Sequence, residues 1–547
     1  MKIRSVEIFG DNFRSLPSHT RYEFNNSNEE DRLSTKIFAG LNGSGKSNFL
    51  ELFSEIFYYL EIFHMRSASD EDKIGKNFGF SIEYILPLAD DSPLKAETPD
   101  ASQLEVSIIK KLNEFPEFSY SIPEFDISRR VDYMGPNGLS SQLLPNKIIA
   151  YSSGQNELLS NPFYKIKYHY HKSLSDYRIR DEDKDLLKRN KLFFLNYESN
   201  FSIFVANMLL AQEPNLGYYK KILKLKDLHS FRVSLNFVDY RRKKIKIRPQ
   251  LLDKIEWLKK CASCYYEEKD KEGFVKSLIL DFKVGSEMKS AFDFYFESAF
   301  GLFKLFYELD LLNINLVKSR TRDTIISAHK GLNLSDEIPK ADPSKLVFRI
   351  EKIIVEKKIN KEETKNIYYK ALSDGEHQFS QVIGSILMIE EPGCLFLLDE
   401  PNTHFNPKWR AKMIKFLNQI TGIEFDSQKR VTKVRPQEII ITTHSPFIIS
   451  DSRKEDVYKF TNGKFVNPEN QTYGSSIEYL LELIFDRDIS ISNFSNDQLI
   501  RLKESIQTRR DIEQVKNKLL EFGESIEKFD AYSFLLKKEK EFTKNDI

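Results

Sequence analysis

The sequence predicts an α/β protein with two lobes, a compact helical insert between them and a helical tail. Three observations predict it. Continuous apolar runs that read as buried parallel strands (STKIFA, CLFLLDE, QEIIITTHS) stand next to helical stretches at both ends of the chain. Between them, about residues 161–335 carry charged, aromatic-rich helical periodicity. Near the end, Leu499, Leu502, Ile506, Ile512, Val515, Leu519, Phe522, Ile526 and Phe529 recur at helical spacing, as one apolar stripe on a helix or helix pair. The expected divisions are 1–160, 161–345, 346–470 and 471–547.

In chain order, residues 1–10 read as a strand through Ile3, Val6, Ile8 and Phe9, and STKIFA (34–39) as a buried strand. KSNFLELFSEIFYYLEIF (46–63) reads as an apolar helix, and FSIEYILP, LEVSIIKKL and NKIIAYSS as further strands. SDEDKIGKNFG and DDSPLKAETPDASQ have loop composition. GLNLSDEIPKADPSK marks a boundary, after which KLVFRIEKIIVEKK resumes strand alternation. A helix (FSQVIGSILMIEE), the strand CLFLLDE, a second helix and the strand QEIIITTHS complete the second lobe.

Composition excludes several classes. With 82 basic and 81 acidic residues, any basic surface must be local. Three cysteines argue against a disulfide framework and fit a reducing cytoplasm. The N-terminus lacks the apolar core of a signal peptide. The richest candidate for a membrane span, FESAFGLFKLFYELDLLNINLV, is interrupted by Lys304, Glu308 and Asp310, so no membrane is expected.

GLNGSGKS (40–47) fits G-x-x-x-x-G-K-[ST] between a strand and a helix, the context that motif requires. Its glycines let backbone N–H groups turn around phosphate oxygens. Asn42, Gly43, Ser44, Gly45, Lys46 and Ser47 are therefore the candidate ATP-binding residues, with Lys46 at the β/γ-phosphates and Ser47 on Mg²⁺. CLFLLDEPNTHFNP ends an apolar strand in two acids. Asp399 is placed to hold Mg²⁺, and Glu400 to orient or deprotonate an attacking water. EIIITTHSPF ends a strand at His444.

The order phosphate loop, ALSDGEHQ (371–378), Asp-Glu strand, His strand resembles the ABC/SMC-type P-loop ATPases, over about residues 1–60 and 346–450. The resemblance implies an ATPase head in which His444 contacts the γ-phosphate. ALSDGEHQ matches the signature motif, so Ser373 and Gly375 would close the ATP site of a second subunit, giving a homodimer or higher oligomer. A Ser–x–Gly turn before a helix is by itself an anion-binding end. Asp374 and Glu376 make the motif look like the soluble SMC, RecF and OLD branches rather than transporters. A Mg²⁺-sensing glutamine should precede the signature; Gln155 is the candidate, and a buried loop amide or plain turn residue fits it equally.

YSSGQNELLSNPF, the short insert, DEPNTHFNP and the TYG-led helix together resemble PtuA-type ATPases of Septu and retron-associated anti-phage systems. That family implies an HNH nuclease partner, and in its retron form a reverse transcriptase with its RNA–DNA product. The alternative is a RecF-like DNA-repair ATPase without a nuclease partner. A third reading uses ATP only to lock a dimer. About 100 residues after His444 are too few for an intrinsic Toprim-type nuclease domain, so Asp486 and Asp488 read as a helix end.

In the insert, EWLKKCASCYYEEKDK reads as plain helix carrying Cys261 and Cys264, rather than as a zinc hook. The basic run YRRKKIKIR offers Arg241, Arg242, Lys243 and Lys244 to a DNA or RNA backbone, or forms a solvated edge strand. The tail is expected to pack on the protein's own core, with a partner or a second copy as the alternatives.

Overall fold

The computed structural model describes the chain apart from residues 27–31, 66–67, 76, 89–91, 133–137, 155–156, 176–189, 239–242, 328–333, 335–337, 339–341, 361–362, 488–490 and 546–547. A seven-stranded sheet carries the motifs. Its order is Lys464–Val466, Val457–Thr461, Ser34–Ala39, Glu438–Thr443, Leu395–Asp399, Ile148–Ser152 and Leu192–Phe194. All neighbouring pairs but the first are parallel. The three apolar runs read as buried strands account for the centre. Every residue of Leu395–Asp399 and Glu438–Thr443 is buried, as expected for strands covered on both faces.

The opposite end of this sheet is closed by a buried ion pair, Lys36 to Glu438 at 3.1 Å. Glu438 also accepts the Ile3 N–H at 2.8 Å, and Lys36 donates to the Asn25 carbonyl and Asn26 Oδ1. The extra hydrogen bonds are what a buried charge pair needs to offset its desolvation.

Helix Lys46–Phe63 is buried nearly all round, with even Glu51, Glu55 and Glu61 inside. It lies between the parallel sheet and a six-stranded antiparallel sheet ordered Arg21–Glu23, Lys2–Phe9, Gly79–Pro87, Gln103–Lys110, Glu117–Ile122, Ile127–Val131. Its inner carboxylates have partners: Arg14 to Glu51 at 2.8 Å, and the Tyr170 hydroxyl to Glu61. The segment with loop composition before this sheet contains a short helix, Asp70–Ile74, stabilised by a Ser69–Asp72 capping box.

The insert differs from the expected helical domain. It contains helices, among them Tyr197–Leu210, Pro249–Cys261 and Ala299–Leu311, but also most of a five-stranded antiparallel sheet. The order is Cys264–Lys269, Val275–Lys283, Leu225–Asn236, Phe348–Lys358 and Thr364–Tyr368. Its alternation is visible in Val233 and Leu235 and in Leu278, Leu280 and Phe282, but charged residues on the other face hide it. Phe231 and Phe282 stack across the strands with centroids 4.4 Å apart. Cys261 ends a helix and Cys264 begins the edge strand, so CASC is a helix-to-strand turn rather than plain helix.

This sheet runs directly into the ALSDGEHQ stretch and the helix Asp374–Met388. That helix packs on Tyr197–Leu210 of the insert. Asn207 Nδ2 donates to the Gly384 carbonyl at 2.8 Å, and the Tyr369 hydroxyl donates to Asn200 Oδ1 at 2.9 Å and lies 2.7 Å from the Ser380 hydroxyl.

The tail corrects another expectation. Helix Ile477–Phe485 enters the main core through Leu480 and Ile484. Helices Asn493–Glu504, Arg509–Leu519 and Ile526–Asn545 form a separate apolar cluster of Leu499, Ile512, Val515, Leu519, Ala531 and Leu535. The last helix turns Ala531 and Leu535 inward, which leaves Ile526 and Phe529 exposed. Among the described residues, no helix is long and apolar enough to cross a membrane.

Two buried rings give the fold an acid sensitivity. Burial pushes the pKa of His169 and of His171 down to about 4, with Lys172 and Lys165 adding to the first shift and Arg322 to the second. Both rings are neutral in the fold, while the unfolded chain takes up protons below about 6.5. Stability is therefore present above that pH and is lost as pH falls toward 4. Denaturant melts should show a larger drop in unfolding free energy from pH 7 to pH 5 for the native chain than for His169→Gln/His171→Gln, by on the order of 1–3 kcal/mol per ring.

Candidate active site

Four parallel strands end side by side at one edge of the seven-stranded sheet. Their register places Ala39 beside Thr443, and Asp399 between Ser152 and Thr442. The C-terminal ends of such strands are where ligands bind in open α/β sheets.

After Ala39 the chain turns through GLNGSGKS. Gly40 has φ 140°, and a Cβ there would lie 2.6 Å from the Phe460 carbonyl oxygen, so only glycine fits. Neighbouring backbone braces the loop: the Gly463 N–H donates to the Ser44 carbonyl at 2.8 Å, and the Tyr22 hydroxyl to the Gly463 carbonyl at 2.7 Å. Asn42 and Gly43 are exposed at the tip, and Ser44, Gly45 and Lys46 are buried. Ser44 Oγ is buried with no hydrogen-bond partner, an orphan polar atom inside the cradle. The Lys46 ammonium donates to the carbonyls of Gly40 and Leu41, both at 2.9 Å. Burial lowers its pKa to about 8, against the opposing pull of Glu400 and Asp399.

Asp399 joins the elements. It accepts from Ser47 Oγ at 2.9 Å, from Thr442 Oγ1 at 2.5 Å and from Ser152 Oγ at 3.4 Å. Sequence reasoning placed Ser47 and Asp399 together; Thr442 and Ser152 it did not use. Their only signal is a hydroxyl at the end of each neighbouring strand.

Glu400 leaves the strand at φ 50°, a left-handed conformation costing on the order of 1–3 kcal/mol for a non-glycine residue. Its N–H donates to the carbonyl and to the hydroxyl of Thr442, both at 3.2 Å. Glu400 Oε1 is buried without a hydrogen-bond partner. Burial, then the adjacent Asp399 carboxylate, push its pKa up to about 7, while Lys46, the hydrogen bond from the His444 backbone and the field of Arg410 oppose the rise. His444 Nε2 lies 3.8 Å from Glu400 Oε1, too far for a hydrogen bond. Burial and then Lys46 lower the His444 pKa, so at neutral pH the pair is not an ion pair. Arg410, unused in the sequence reading, donates to the Thr403 carbonyl at 2.7 Å and fixes the loop that follows Glu400.

ALSDGEHQ ends in a capped helix. The Ser373 hydroxyl accepts from the Glu376 N–H at 3.4 Å, and the Glu376 carboxylate accepts from the Ser373 N–H at 2.9 Å. Burial would raise the Glu376 pKa. The Lys357 ammonium at 2.5 Å and the Ser373 N–H hold it below the usual value instead. Ser373 is exposed, and among the described residues no hydrogen bond joins 373–376 to 40–47. A Cβ on Gly375 would lie 2.7 Å from the His404 carbonyl oxygen, so the first turn of this helix rests on the loop after Glu400.

The remaining candidates lie apart. Gln155, Arg241 and Arg242 fall outside the described residues. Lys243 and Lys244 are exposed. Among the described residues of that run a single bridge, Val238 to Lys244, stands in place of an edge strand, and Lys244 sits 4.1 Å over the Phe274 ring. Asp486 caps the end of helix Ile477–Phe485, and Asp488 lies outside the described residues.

The residues present fit a nucleotide triphosphate with a divalent cation. The glycine turn presents a helix N-terminus, Ser44 offers an unsatisfied hydroxyl, and Ser47 with Asp399 form a hard oxygen pair of the kind Mg²⁺ takes.

Residues 292–450 match the family model described as "AAA domain, putative AbiEii toxin, Type IV TA system". The match spans the ALSDGEHQ turn, Asp399, Glu400 and His444, and begins after the phosphate loop. It supports a P-loop ATPase with a mixed α/β fold, and with it ATP binding and hydrolysis.

Glu400 offers a direct physical check. A carboxyl with a folded pKa near 7 and an unfolded one near 4.5 destabilises the fold increasingly from pH 4.5, and fully above pH 7. In nucleotide-free, metal-free protein, Glu400→Gln should therefore melt higher than the native chain, by on the order of 1 kcal/mol at pH 8. The gap should close toward pH 4.5 in differential scanning calorimetry.

Proposed function

We propose that this chain is the ATP-hydrolysing regulatory subunit of an anti-phage defence complex, an ABC/SMC-type ATPase of the PtuA kind. Its nucleotide state controls a separate HNH nuclease, with a reverse transcriptase and its RNA–DNA product as further partners in a retron setting. The observation that carries the ATPase reading is the joining of phosphate loop and carboxylate strand through Ser47 and Asp399, with Glu400 beside them, its Oε1 buried and without a hydrogen-bond partner among the described residues. The defence reading rests on the whole-chain resemblance stated above.

In this reading Ser47 and Asp399 would hold Mg²⁺, which would supply positive charge to offset that of the phosphates. Lys46 leaves its two loop carbonyls to meet the same oxygens. Glu400 orients the attacking water and accepts its proton, a role suited to a carboxyl poised near neutral pH. His444, neutral and 3.8 Å from Glu400, contacts the γ-phosphate. Ser373 and Gly375 of a second copy complete each site: Ser373 is exposed, and among the described residues no hydrogen bond joins 373–376 to the chain's own phosphate loop.

Three variants separate these roles. Lys46→Ala should weaken binding of a fluorescent ATP analogue at least ~10-fold. Glu400→Gln should keep binding, lower turnover on the order of 100-fold or more, and accumulate an ATP-bound dimer in mass photometry. Ser373→Arg should leave single-chain binding intact and abolish hydrolysis. An ATP-bound Glu400→Gln that stays monomeric would overturn the shared site. Affinity purification from the native host, with and without ATP, should recover a small HNH protein; recovery of DNA-repair proteins alone would favour the repair reading.

A further inference from the structure

We propose that Gln378 is a positioning residue that couples the two nucleotide half-sites carried by one chain. The inference rests on the shared-site reading above. In that reading each chain lends its phosphate loop, Asp399 and Glu400 to one ATP and its Ser373–Gly375 turn to the other. Something within the chain must then connect the two halves if the sites are to work together.

The connection is visible around residue 404. Gln378 sits on the second turn of helix Asp374–Met388 and is only 3% exposed. Its side-chain oxygen accepts the His404 N–H at 2.9 Å, and its side-chain nitrogen donates to the Tyr151 hydroxyl at 3.0 Å. The His404 carbonyl meanwhile lies against Gly375, where a Cβ would be 2.7 Å away. Residue 404 is therefore gripped on both backbone groups by the first two turns of the Ser373 helix.

From His404 the path to the carboxylates is short. Thr403 Oγ1 donates to the Glu400 carbonyl at 2.9 Å and lies 2.9 Å from Ser153 Oγ. The Ser153 N–H donates to the Asp399 carbonyl at 3.1 Å. Tyr151, the other partner of Gln378, stands beside Leu398 in the sheet, one residue before the Ser152 that donates to Asp399. One buried amide thus joins the helix that would face the second ATP to the loop that follows the Asp399 strand and to the neighbouring strand Ile148–Ser152.

The physics favours transmission. A buried amide with both ends satisfied resists displacement, because breaking either bond leaves a polar group unpaired at about 1–3 kcal/mol. A shift of the helix when Ser373 and Gly375 meet a phosphate therefore carries the 400–404 loop with it. Glu400, already held in a left-handed conformation, is the group whose position changes.

The test uses steady-state hydrolysis of Mg–ATP by the full chain, with binding of a fluorescent ATP analogue and circular dichroism as controls. Gln378→Leu should fold and bind the analogue within ~2-fold of the native chain, yet lose kcat on the order of 10–100-fold. Its Hill coefficient for ATP should fall to one, from a native value above one. Gln378→Glu should recover most of both, since a carboxylate accepts from the His404 N–H and from the Tyr151 hydroxyl. Should Gln378→Leu fail to fold, Tyr151→Phe removes one arm alone and is expected to lower cooperativity in the same direction. Native kcat and cooperativity in Gln378→Leu, a native Hill coefficient of one, or loss of ATP binding in step with kcat would each overturn the coupling. If the native chain does not hydrolyse ATP at all, the parent reading fails and the coupling falls with it. Native hydrolysis that is lost in Glu400→Gln but untouched in Gln378→Leu would sink the coupling alone.

Discussion

The Asp399 carboxylate is the point on which the site depends. It accepts hydroxyls from the phosphate loop, from the histidine strand and from strand Ile148–Ser152. Those three elements come from residues near 47, 442 and 152, brought together only by the parallel register of the sheet. A one-residue slip would turn Asp399 to the opposite face, and the constellation would be lost. The buried Lys36–Glu438 pair at the other end of the same strands helps fix that register. A charge pair that deep tolerates no displacement without leaving an uncompensated charge.

Around Asp399 the chain carries features that cost stability and are hard to explain by folding alone. Glu400 adopts a left-handed backbone and buries a carboxylate oxygen with no partner, and Ser44 buries an unsatisfied hydroxyl. Lys46 is buried and spends its donors on carbonyls. Such costs cluster where a fold is prepared for a charged ligand. The helix bearing Ser373 is, in contrast, well satisfied: its capping box, its Lys357 ion pair and its packing on Tyr197–Leu210 hold it firmly. A rigid helix resting on a strained loop is a suitable arrangement for passing a small displacement to the Glu400 carboxylate.

The insert takes part in this arrangement. Its antiparallel sheet feeds directly into the Ser373 turn, and Lys357 on one of its strands pairs with Glu376. A partner bound to the insert would thus act on the helix that Gln378 ties to the active loop. That geometry makes the insert continuous with the helix that rests on the loop after Glu400.

How much of this was legible in the sequence follows from what is local and what is not. GLNGSGKS, the Asp-Glu strand end, the His strand end and the Ser–x–Gly turn each lie within a few residues, and their chemistry follows from spacing and backbone rules. The strand Ser34–Ala39 and the helix Lys46–Phe63 match their predicted bounds because continuous apolar runs leave little choice. The insert sheet was hidden because charged residues on its outer face mimic helical composition. Tyr265 and Tyr266 beside CASC looked like helix because a lone edge strand has no pattern of its own. The tail's stripe was real but divided, since the turns between its helices decide which residues meet. The sequence alone therefore determined the chemical groups and the loop that can cradle phosphate. Only the tertiary structure decided that Ser47, Ser152 and Thr442 share one carboxylate, and that Gln378 reaches His404 and Tyr151. Those contacts join residues separated by 26 to 352 positions, and nothing local in a chain records such a distance.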